Sequence, residues 1–433
     1  MSFLKVLGFD PAKHDVKTEV VAGITTFLTM AYILAVNPDI FGALEGMGMP
    51  KDAVFAATAF SAIVGTLVMS LYAKKPYALA PGLGLNAFFV YTVCLTMGYS
   101  WQFALTAVLI EGIIFVILTV TNVREAIINA IPKAMKSAVS AGIGLFIAFI
   151  GMVNAGIIVD DGGTIIALGD ITGGTALLAI VGLVITSVMM ILKVPGAMLI
   201  GIIVTAIIGI PFGITHFDGV VRGVPSIAPI FCKFEFHNIL SWDMVIVVFT
   251  FLFIDMFDTI GTVIGVSKKA NAMNSDGTIP GVKKVLMADA VATVAGACFG
   301  TSTTTTYVES ASGVAEGGRT GLTSFTTAIC FAIALFFAPL FIGIPSAATA
   351  PALIIVGVMM MSSILDVDFN DFSESIPAYI CMIVMPLAYS ISDGIMLGMI
   401  SFVVLNALTG KFKKISVMMW ILAILFILRY ILL

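Results

Sequence analysis

The sequence has few charged residues and few of the groups that soluble enzymes use for catalysis. Asp, Glu, Lys and Arg make up 11% of its 433 residues, against about 25% in a soluble domain. The mean hydropathy is +1.14. The three histidines, His14, His216 and His237, fall in polar connecting stretches, and the chain has neither an HExxH motif nor a Ser-His pair in a span. The composition predicts a polytopic membrane protein, and the lack of these motifs argues against an intramembrane enzyme; we expect no cofactor and no metal.

Paired cysteines, extended basic runs and the pattern of a cleavable signal peptide are also not seen. The five cysteines stand singly without a CxxC pair, so we interpret them as small core residues. The net charge of -4 and the absence of a basic patch beyond 411–414 argue against a nucleic-acid partner. The polar start MSFLKVLGFDPAKHDVKTEV lacks the layout of a signal peptide. The first apolar segment is therefore expected to direct membrane insertion.

Long apolar runs dominate what is present. A spanning helix needs about 20 apolar residues, and fewer where it is broken. The pattern predicts fourteen segments and an apolar tail at 415–433 that either crosses the membrane or lies along its inner surface. The segments are expected near 20–37, 52–72, 77–93, 101–121, 137–154, 174–192, 196–213, 243–265, 285–299, 301–316, 321–343, 347–364, 376–392 and 394–409.

The positive charges fix an orientation for these segments. With the amino end in the cytoplasm, nearly all Lys and Arg residues fall in inner loops. Only Lys51, Arg222 and Lys233 fall in outer loops. This asymmetry is what the positive-inside rule requires, and a shift by one span would remove it.

The two halves of the chain resemble each other. IPKAMKSAVSAGIGLFIAFIGM (131–152) matches IPSAATAPALIIVGVMMMSSI (344–364), and the broken stretch YALAPGLGLNAFF (77–89) corresponds in place to STTTTYVESASG (302–313). Because each repeat has an odd number of spans, the second copy is inverted relative to the first. Paired breaks in inverted repeats are typical of secondary transporters, whose site lies between the breaks near the midplane.

Ionisable residues inside the predicted segments are few, and each costs ~2.5–3.5 kcal/mol at a helix centre on insertion scales. Asp255 and Asp258 are three positions apart and therefore share one helical face. Two carboxylates at this spacing suit reversible proton binding. Glu111 and Asp289 lack polar neighbours in the sequence, and we interpret them as structural hydrogen-bond acceptors.

Glu309 follows an unusual polar stretch. The run Thr303 to Thr306 is β-branched and favours an extended chain, whereas the small residues after Glu309 favour the start of a half-helix. We expect free backbone N–H groups there, near Val308 and Ser310. In the first half, Pro81 and the following glycines loosen the chain before Asn86 in the same way. Two acids, an amide and backbone donors suit a flat heterocycle with mixed donors and acceptors, on which Phe253 is expected to stack.

Three motifs resemble a known family. They are GLGLNAFF (83–90) after Pro81, FIDMFDTIGT (253–262) and TTYVESASGV (305–314), together with the opening stretch from 8 to 41. The chain is similar throughout to the AzgA-like purine permeases of the nucleobase-cation symporter and nucleobase-ascorbate transporter group. The resemblance implies an all-α membrane fold of fourteen segments in two inverted seven-segment repeats, with extended stretches in segments 3 and 10. It implies core domains at 1–136 and 243–343 and gate domains at 137–242 and 344–433, the last including the tail.

The resemblance also implies a substrate site and a mechanism. We expect import of purine nucleobases, hypoxanthine and guanine with adenine as a further candidate, by proton symport and alternating access across the plasma membrane. The rival hypothesis is an anion transporter or channel on the same fold, which the paired acids disfavour. The preferred purine, the choice of proton or sodium, and formation of a homodimer are left open. The expected substrate-binding residues are Gly84, Asn86, Phe253, Asp255, Val308, Glu309 and Ser310, and the expected proton-coupling residues are Asp258 and Glu309.

Overall fold

The computed structural model describes residues 2–121, 132–237, 239–270, 272 and 279–432. Its helices follow the apolar runs of the sequence. In the first half they are α1 (Ser2–Val6), α2 (Val16–Met30), α3 (Ile33–Phe41), α4 (Lys51–Val68), α5 (Leu83–Ala87), α6 (Trp101–Thr121), α7 (Lys133–Asn154), α8 (Gly174–Ile191) and α9 (Ala197–Gly209). In the second half they are α10 (Trp242–Lys269), α11 (Val282–Phe299), α12 (Ser310–Ala315), α13 (Gly321–Ala334), α14 (Ala338–Ile342), α15 (Ser346–Met361), α16 (Phe372–Leu387), α17 (Ile391–Leu408) and α18 (Val417–Leu432).

Several of these helices are suited to a bilayer. Within the described residues, eight helical stretches are long and apolar enough to cross a membrane. Shorter apolar helices add to them at Leu83–Thr96, Ala197–Gly209, Phe372–Leu387 and Val417–Leu428. The described chain is thus a multi-helix protein of the membrane type.

The first apolar segment is not one helix, as its sequence suggests, but two. α2 ends at Met30 and α3 begins at Ile33, with Ala31 and Tyr32 between them. The N–H of Ala31 still donates to Phe27 O at 2.7 Å, so the chain turns without losing that bond. The break contains neither Gly nor Pro, which explains why the sequence pattern does not reveal it.

The two broken stretches pair with each other. β1 (Leu79–Pro81) runs antiparallel to β4 (Thr304–Thr306), with Ala80 opposite Thr305. Gly82 N–H donates to Thr303 O at 3.0 Å and Tyr307 N–H to Ala78 O at 2.9 Å, which extends the ladder at both ends. A short half-helix follows each strand, α5 after β1 and α12 after β4. The predicted extended stretches are confirmed, and their pairing satisfies backbone groups that a membrane interior leaves without water.

The C-terminal helix packs along its neighbour. α18 runs antiparallel to α17, because it begins just after α17 ends and Tyr430 near its own end donates to Asp393 Oδ1 at 2.7 Å near the start of α17. Phe426 meets Phe249 of α10 edge to face at 5.6 Å. The tail therefore extends alongside α17 over most of that helix.

Ion pairs link the connection between α17 and α18 to the start of α16. Lys414 and Lys411 bond to Asp371 at the start of α16, at 2.7 and 3.1 Å. The bond from Lys414, followed by those from the Ser373 hydroxyl and Lys411, keeps the pKa of Asp371 below its usual range.

A second short sheet, β2 (Ile158–Asp161) with β3 (Ile165–Leu168), forms a hairpin between α7 and α8.

Candidate functional site

The two strand-to-helix turns meet at a cavity of about 100 Å³. Its walls combine the ends of β4 and the start of α5 with residues of α7, α10 and α15. Aromatic, apolar and acidic side chains line it together. The lining comprises Tyr32, Gly82, Leu83, Gly84, Val139, Ser140, Ile143, Ile254, Asp258, Thr262, Thr306, Tyr307, Val308, Glu309, Val356 and Met360.

Glu309 stands where the extended chain becomes a helix. It is the residue before α12, in the turn that follows the β-branched run of β4. Its Oε1 accepts a hydrogen bond from the Tyr32 hydroxyl at 2.6 Å. The predicted sequence of an extended chain followed by a half-helix near Glu309 is confirmed, and it places this carboxylate on the cavity.

The two aspartates of α10 lie in different surroundings. Asp258 is partly buried and lines the cavity, whereas the fully buried Asp255 is not among the described lining residues. The Oδ1 of Asp255 lies 3.0 Å from the hydroxyl of Thr259, one turn further along α10. In this structure Asp258 therefore borders the cavity, and Asp255, expected to bind the substrate, lies behind it.

A buried network of hydroxyls and carboxylates lies behind the cavity. The Thr259 hydroxyl is 2.9 Å from Asp289 Oδ2 and 2.7 Å from the Thr305 hydroxyl. The N–H of Thr306 donates to Asp289 Oδ1 at 3.0 Å. Because Asp289 belongs to α11, this network ties β4 to α10 and α11. Asp289 is a structural acceptor, as its sequence context suggests.

Other threonines of the polar stretch are also engaged in bonds that hold it in place. The Thr303 hydroxyl donates to Glu111 Oε2 at 2.6 Å, and the Thr304 hydroxyl bonds to Ser61. Thr304 O accepts from the Thr293 hydroxyl at 3.1 Å. These bonds replace those that a continuous helix would have made. Glu111 is thus a structural hydrogen-bond acceptor, as predicted from its sequence context.

Asn86 and Ser310 join the two breaks to each other. Asn86 Oδ1 accepts from the Ser302 hydroxyl, and Asn86 is fully buried. Ser310 Oγ accepts from Ala78 N–H at 3.0 Å, while its own N–H donates to Tyr307 O at 3.2 Å. The N–H of Ser310, expected to be free for a ligand, is therefore used within the turn.

The remaining predicted site residues divide in the same way. Gly84 and Val308 line the cavity. Phe253 is buried and packs against Phe249 at 5.8 Å, and it is not among the described lining residues. Gly84 also approaches α7 closely, since a Cβ on it would lie 2.7 Å from Cγ2 of Ile143.

A second, larger cavity of about 620 Å³ adjoins the first. The two share Val308 and Glu309 in their linings. The larger one is also lined by Lys193, Lys269 and Glu316, all of them exposed. Glu309 therefore borders both the smaller cavity and a larger cavity lined by residues of both charges.

This chain also matches known proteins over most of its length. A family model described as the Permease family matches residues 17–397. The chain belongs to the permease family. It is 44% identical over 432 residues to the guanine/hypoxanthine permease PbuG of Bacillus subtilis, covering 98% of both chains. It is 41% identical over 417 residues to the adenine permease AdeQ of Escherichia coli, covering 96% of this chain and 93% of that one.

The resemblance to purine permeases that the three motifs indicate is thereby confirmed. Among solved structures, the permease superimposes on the transmembrane domain of a cyanobacterium bicarbonate transporter, BicA, with a TM-score of 0.65. That match covers 88% of this chain and 97% of the other at 16% identity. At this identity the match shows a shared fold alone.

Two tyrosines that line the cavity are not identified by the sequence analysis. Tyr32 and Tyr307 both line the cavity, and the Tyr307 hydroxyl donates to Pro81 O at 2.6 Å. Tyr32 lies inside an apolar run, where an aromatic residue is indistinguishable from a packing residue until its neighbours are known. Within the described residues, no group of three or more His, Cys, Asp or Glu side chains is arranged to hold a metal ion.

Proposed function

We propose that this permease imports purine nucleobases, hypoxanthine and guanine with adenine as a further candidate, by proton symport and alternating access. The observation that supports this most directly is full-length identity of 44% and 41% to permeases named for guanine, hypoxanthine and adenine. The chemistry of the cavity agrees with such a substrate. A neutral purine offers ring N–H donors, carbonyl or ring-nitrogen acceptors and two flat faces.

The acids on the cavity are matched to those N–H donors. Asp258 and Glu309 both line it, and a carboxylate accepts hydrogen bonds from ring N–H groups. Tyr32 and Tyr307 present aromatic rings to the same space. We assign Asp258 and Glu309 to the base and to proton coupling, and Asp255 and Asn86 to holding the two breaks in position behind it.

The rival function, anion transport on the same fold, is less compatible with this cavity. Its described lining contains Asp258 and Glu309 but no Lys, Arg or His. An anion there would face repulsion that grows as the local dielectric falls. The bicarbonate transporter with a related fold therefore does not suggest the substrate of this chain.

The proposed mechanism requires two bodies that move past each other. We assign 1–136 and 243–343 to a core with the site and 137–242 and 344–433 to a gate, in fourteen crossings of two inverted repeats in the plasma membrane. With the N-terminus in the cytoplasm, the wider cavity beside Lys193 and Lys269 is the route from the site to the cell interior. The α18 tail, which lies along α17, then makes a further crossing.

One hydrogen-bonded contact joins the proposed core to the proposed gate. Asp39 of α3 accepts hydrogen bonds from the Ser346 hydroxyl and the Thr349 hydroxyl of α15, each at 2.6 Å. α3 belongs to the proposed core and α15 to the proposed gate. In the proposed orientation this contact lies on the outer side, and we expect it to break when that side opens.

Uptake of labelled hypoxanthine into proteoliposomes tests the proposal. We expect saturable uptake, competed by guanine and adenine but not by uracil, driven by an inward proton gradient and independent of sodium. Empty liposomes are the control for leakage. Competition by bicarbonate but by no purine would support the anion transporter. Uptake that stops when sodium is removed but continues in the presence of a protonophore would contradict proton coupling.

A further inference from the structure

Tyr32 occupies the break in the first apolar segment. It is the residue between Ala31, where α2 ends, and α3, and it is 1% exposed. The chain is fixed on both sides of it, because Val36 N–H donates to Tyr32 O at 2.9 Å and Ala31 N–H to Phe27 O at 2.7 Å. The phenol ring is thus held against the cavity, where it forms part of the lining.

The hydroxyl of Tyr32 reaches an acid that is far away in the sequence. It donates to Glu309 Oε1 at 2.6 Å. Among the described residues, no second side chain donates to this carboxylate. The first segment also contacts the backbone of Glu309, since the Thr29 hydroxyl lies 3.5 Å from Glu309 O.

Fixing one oxygen of a glutamate has a geometric consequence. The terminal torsion of Glu is broad, so an unrestrained carboxylate samples many orientations. A hydrogen bond to one oxygen selects an orientation of the carboxylate plane and leaves Oε2 to face another donor. The side chain of Glu309 then loses its conformational entropy on folding rather than on ligand binding, which lowers the free-energy cost of binding.

We propose that Tyr32 is a positioning residue for substrate recognition: it holds Glu309 so that the second carboxylate oxygen meets a ring N–H of the base. The inference rests on the proposed function and adds the first segment to the groups that determine affinity.

Equilibrium binding of labelled hypoxanthine to purified wild-type and Tyr32→Phe protein tests the inference. Phe keeps the ring and its packing and removes only the hydroxyl. We expect the dissociation constant to rise about three- to tenfold, equivalent to about 0.7–1.4 kcal/mol. Tyr77→Phe is the matched control, because Tyr77 is also buried and its hydroxyl bonds to Ser267 at 2.8 Å, away from the cavity. We expect its affinity to be unchanged.

A double-mutant cycle tests whether the Tyr32 hydroxyl acts through Glu309. If Tyr32 acts through Glu309, Tyr32→Phe should have no further effect in a Glu309→Gln background. A second cycle with Glu309→Asp, which withdraws the carboxylate from the hydroxyl, serves if Glu309→Gln binds too weakly to titrate. Additive losses would show that the Tyr32 hydroxyl acts independently of Glu309 and would overturn the inference.

The outcomes also separate the inference from the function on which it rests. Normal binding by wild type together with unchanged or tighter binding by Tyr32→Phe would overturn the inference alone. Absence of any purine binding by the wild-type protein would overturn the proposed function and the inference with it.

Discussion

At the scale of single residues, Asp258 and Asp255 should respond differently to loss of charge. Asp258 borders the cavity, so Asp258→Asn removes a charged acceptor for the base. Because a charge-assisted hydrogen bond contributes ~1.5–3 kcal/mol, the affinity for hypoxanthine should fall at least about tenfold. Asp255 lies in the buried network with Thr259, so Asp255→Asn should lower the melting temperature of the ligand-free protein. Hypoxanthine titration and thermal denaturation of both variants check this. A melting temperature lowered by Asp258→Asn alone would contradict the assignment.

The sequence identifies this pair but does not distinguish its members. Three positions along a helix keep two side chains on one face, and which of them meets the cavity depends on the rotation of α10 against β4. That rotation is set by long-range bonds such as those between Thr259 and Thr305. Glu309 is predictable because its own neighbours are unusual, whereas Tyr32 lies in an ordinary apolar run.

At the scale of elements, the close approach of α5 to α7 should limit transport if it is disturbed. A Cβ on Gly84 would lie 2.7 Å from Cγ2 of Ile143, and overpacking of this kind costs about 1–3 kcal/mol. Gly84→Ala should reduce the initial rate of hypoxanthine uptake at least about fivefold. Adding Ile143→Ala, which removes the contacting carbon, should restore part of the rate.

The control for this element is Gly46→Ala. A Cβ on Gly46 has nothing within 4 Å, and Gly46 lies in a short 3-10 helix (Gly42–Met47) and is not part of the described cavity lining. Its uptake rate should match that of the wild type. Equal rates for Gly84→Ala and wild type would show that α5 and α7 have room to separate, and the close contact would then have no role in transport.

The elements near the site are predictable only in part. The Pro and Gly residues before Asn86 and the threonine run before Glu309 each indicate a local break, because both disfavour a continuous helix. The pairing of Ala80 with Thr305 is not encoded locally in either stretch. It follows from how the two halves of the chain pack, which a single sequence does not specify.

At the scale of the whole molecule, alternating access requires that the Asp39 contact opens. Asp39→Asn replaces an acceptor of two hydroxyl bonds, at 2.6 Å each, and should shift the population towards the outward-open state. A cysteine introduced by Ser312→Cys, in the wider cavity, should then react about two- to fivefold more slowly with a thiol reagent applied from the cytoplasmic side. The background is a protein whose native cysteines have been replaced.

Asp52→Asn is the matched control for this experiment. Asp52 pairs with Arg222 across the same proposed boundary, but both side chains are about half exposed, at 42% and 55%. Exposed ion pairs contribute little, about 0–1 kcal/mol, so the labelling rate should change little. Faster labelling in Asp39→Asn would mean that the contact does not favour the conformation seen here.

The central claim is that a purine binds between the two helix breaks against Glu309. Binding of labelled hypoxanthine to purified wild-type and Glu309→Gln protein tests it most directly, with exposed Glu45→Gln as control. The amide adds an N–H₂ donor that faces the N–H of the base, and an unpaired buried donor costs ~1–3 kcal/mol. Affinity should therefore fall at least about tenfold in Glu309→Gln and stay unchanged in Glu45→Gln. Wild-type affinity in correctly folded Glu309→Gln would contradict the account and move the site elsewhere.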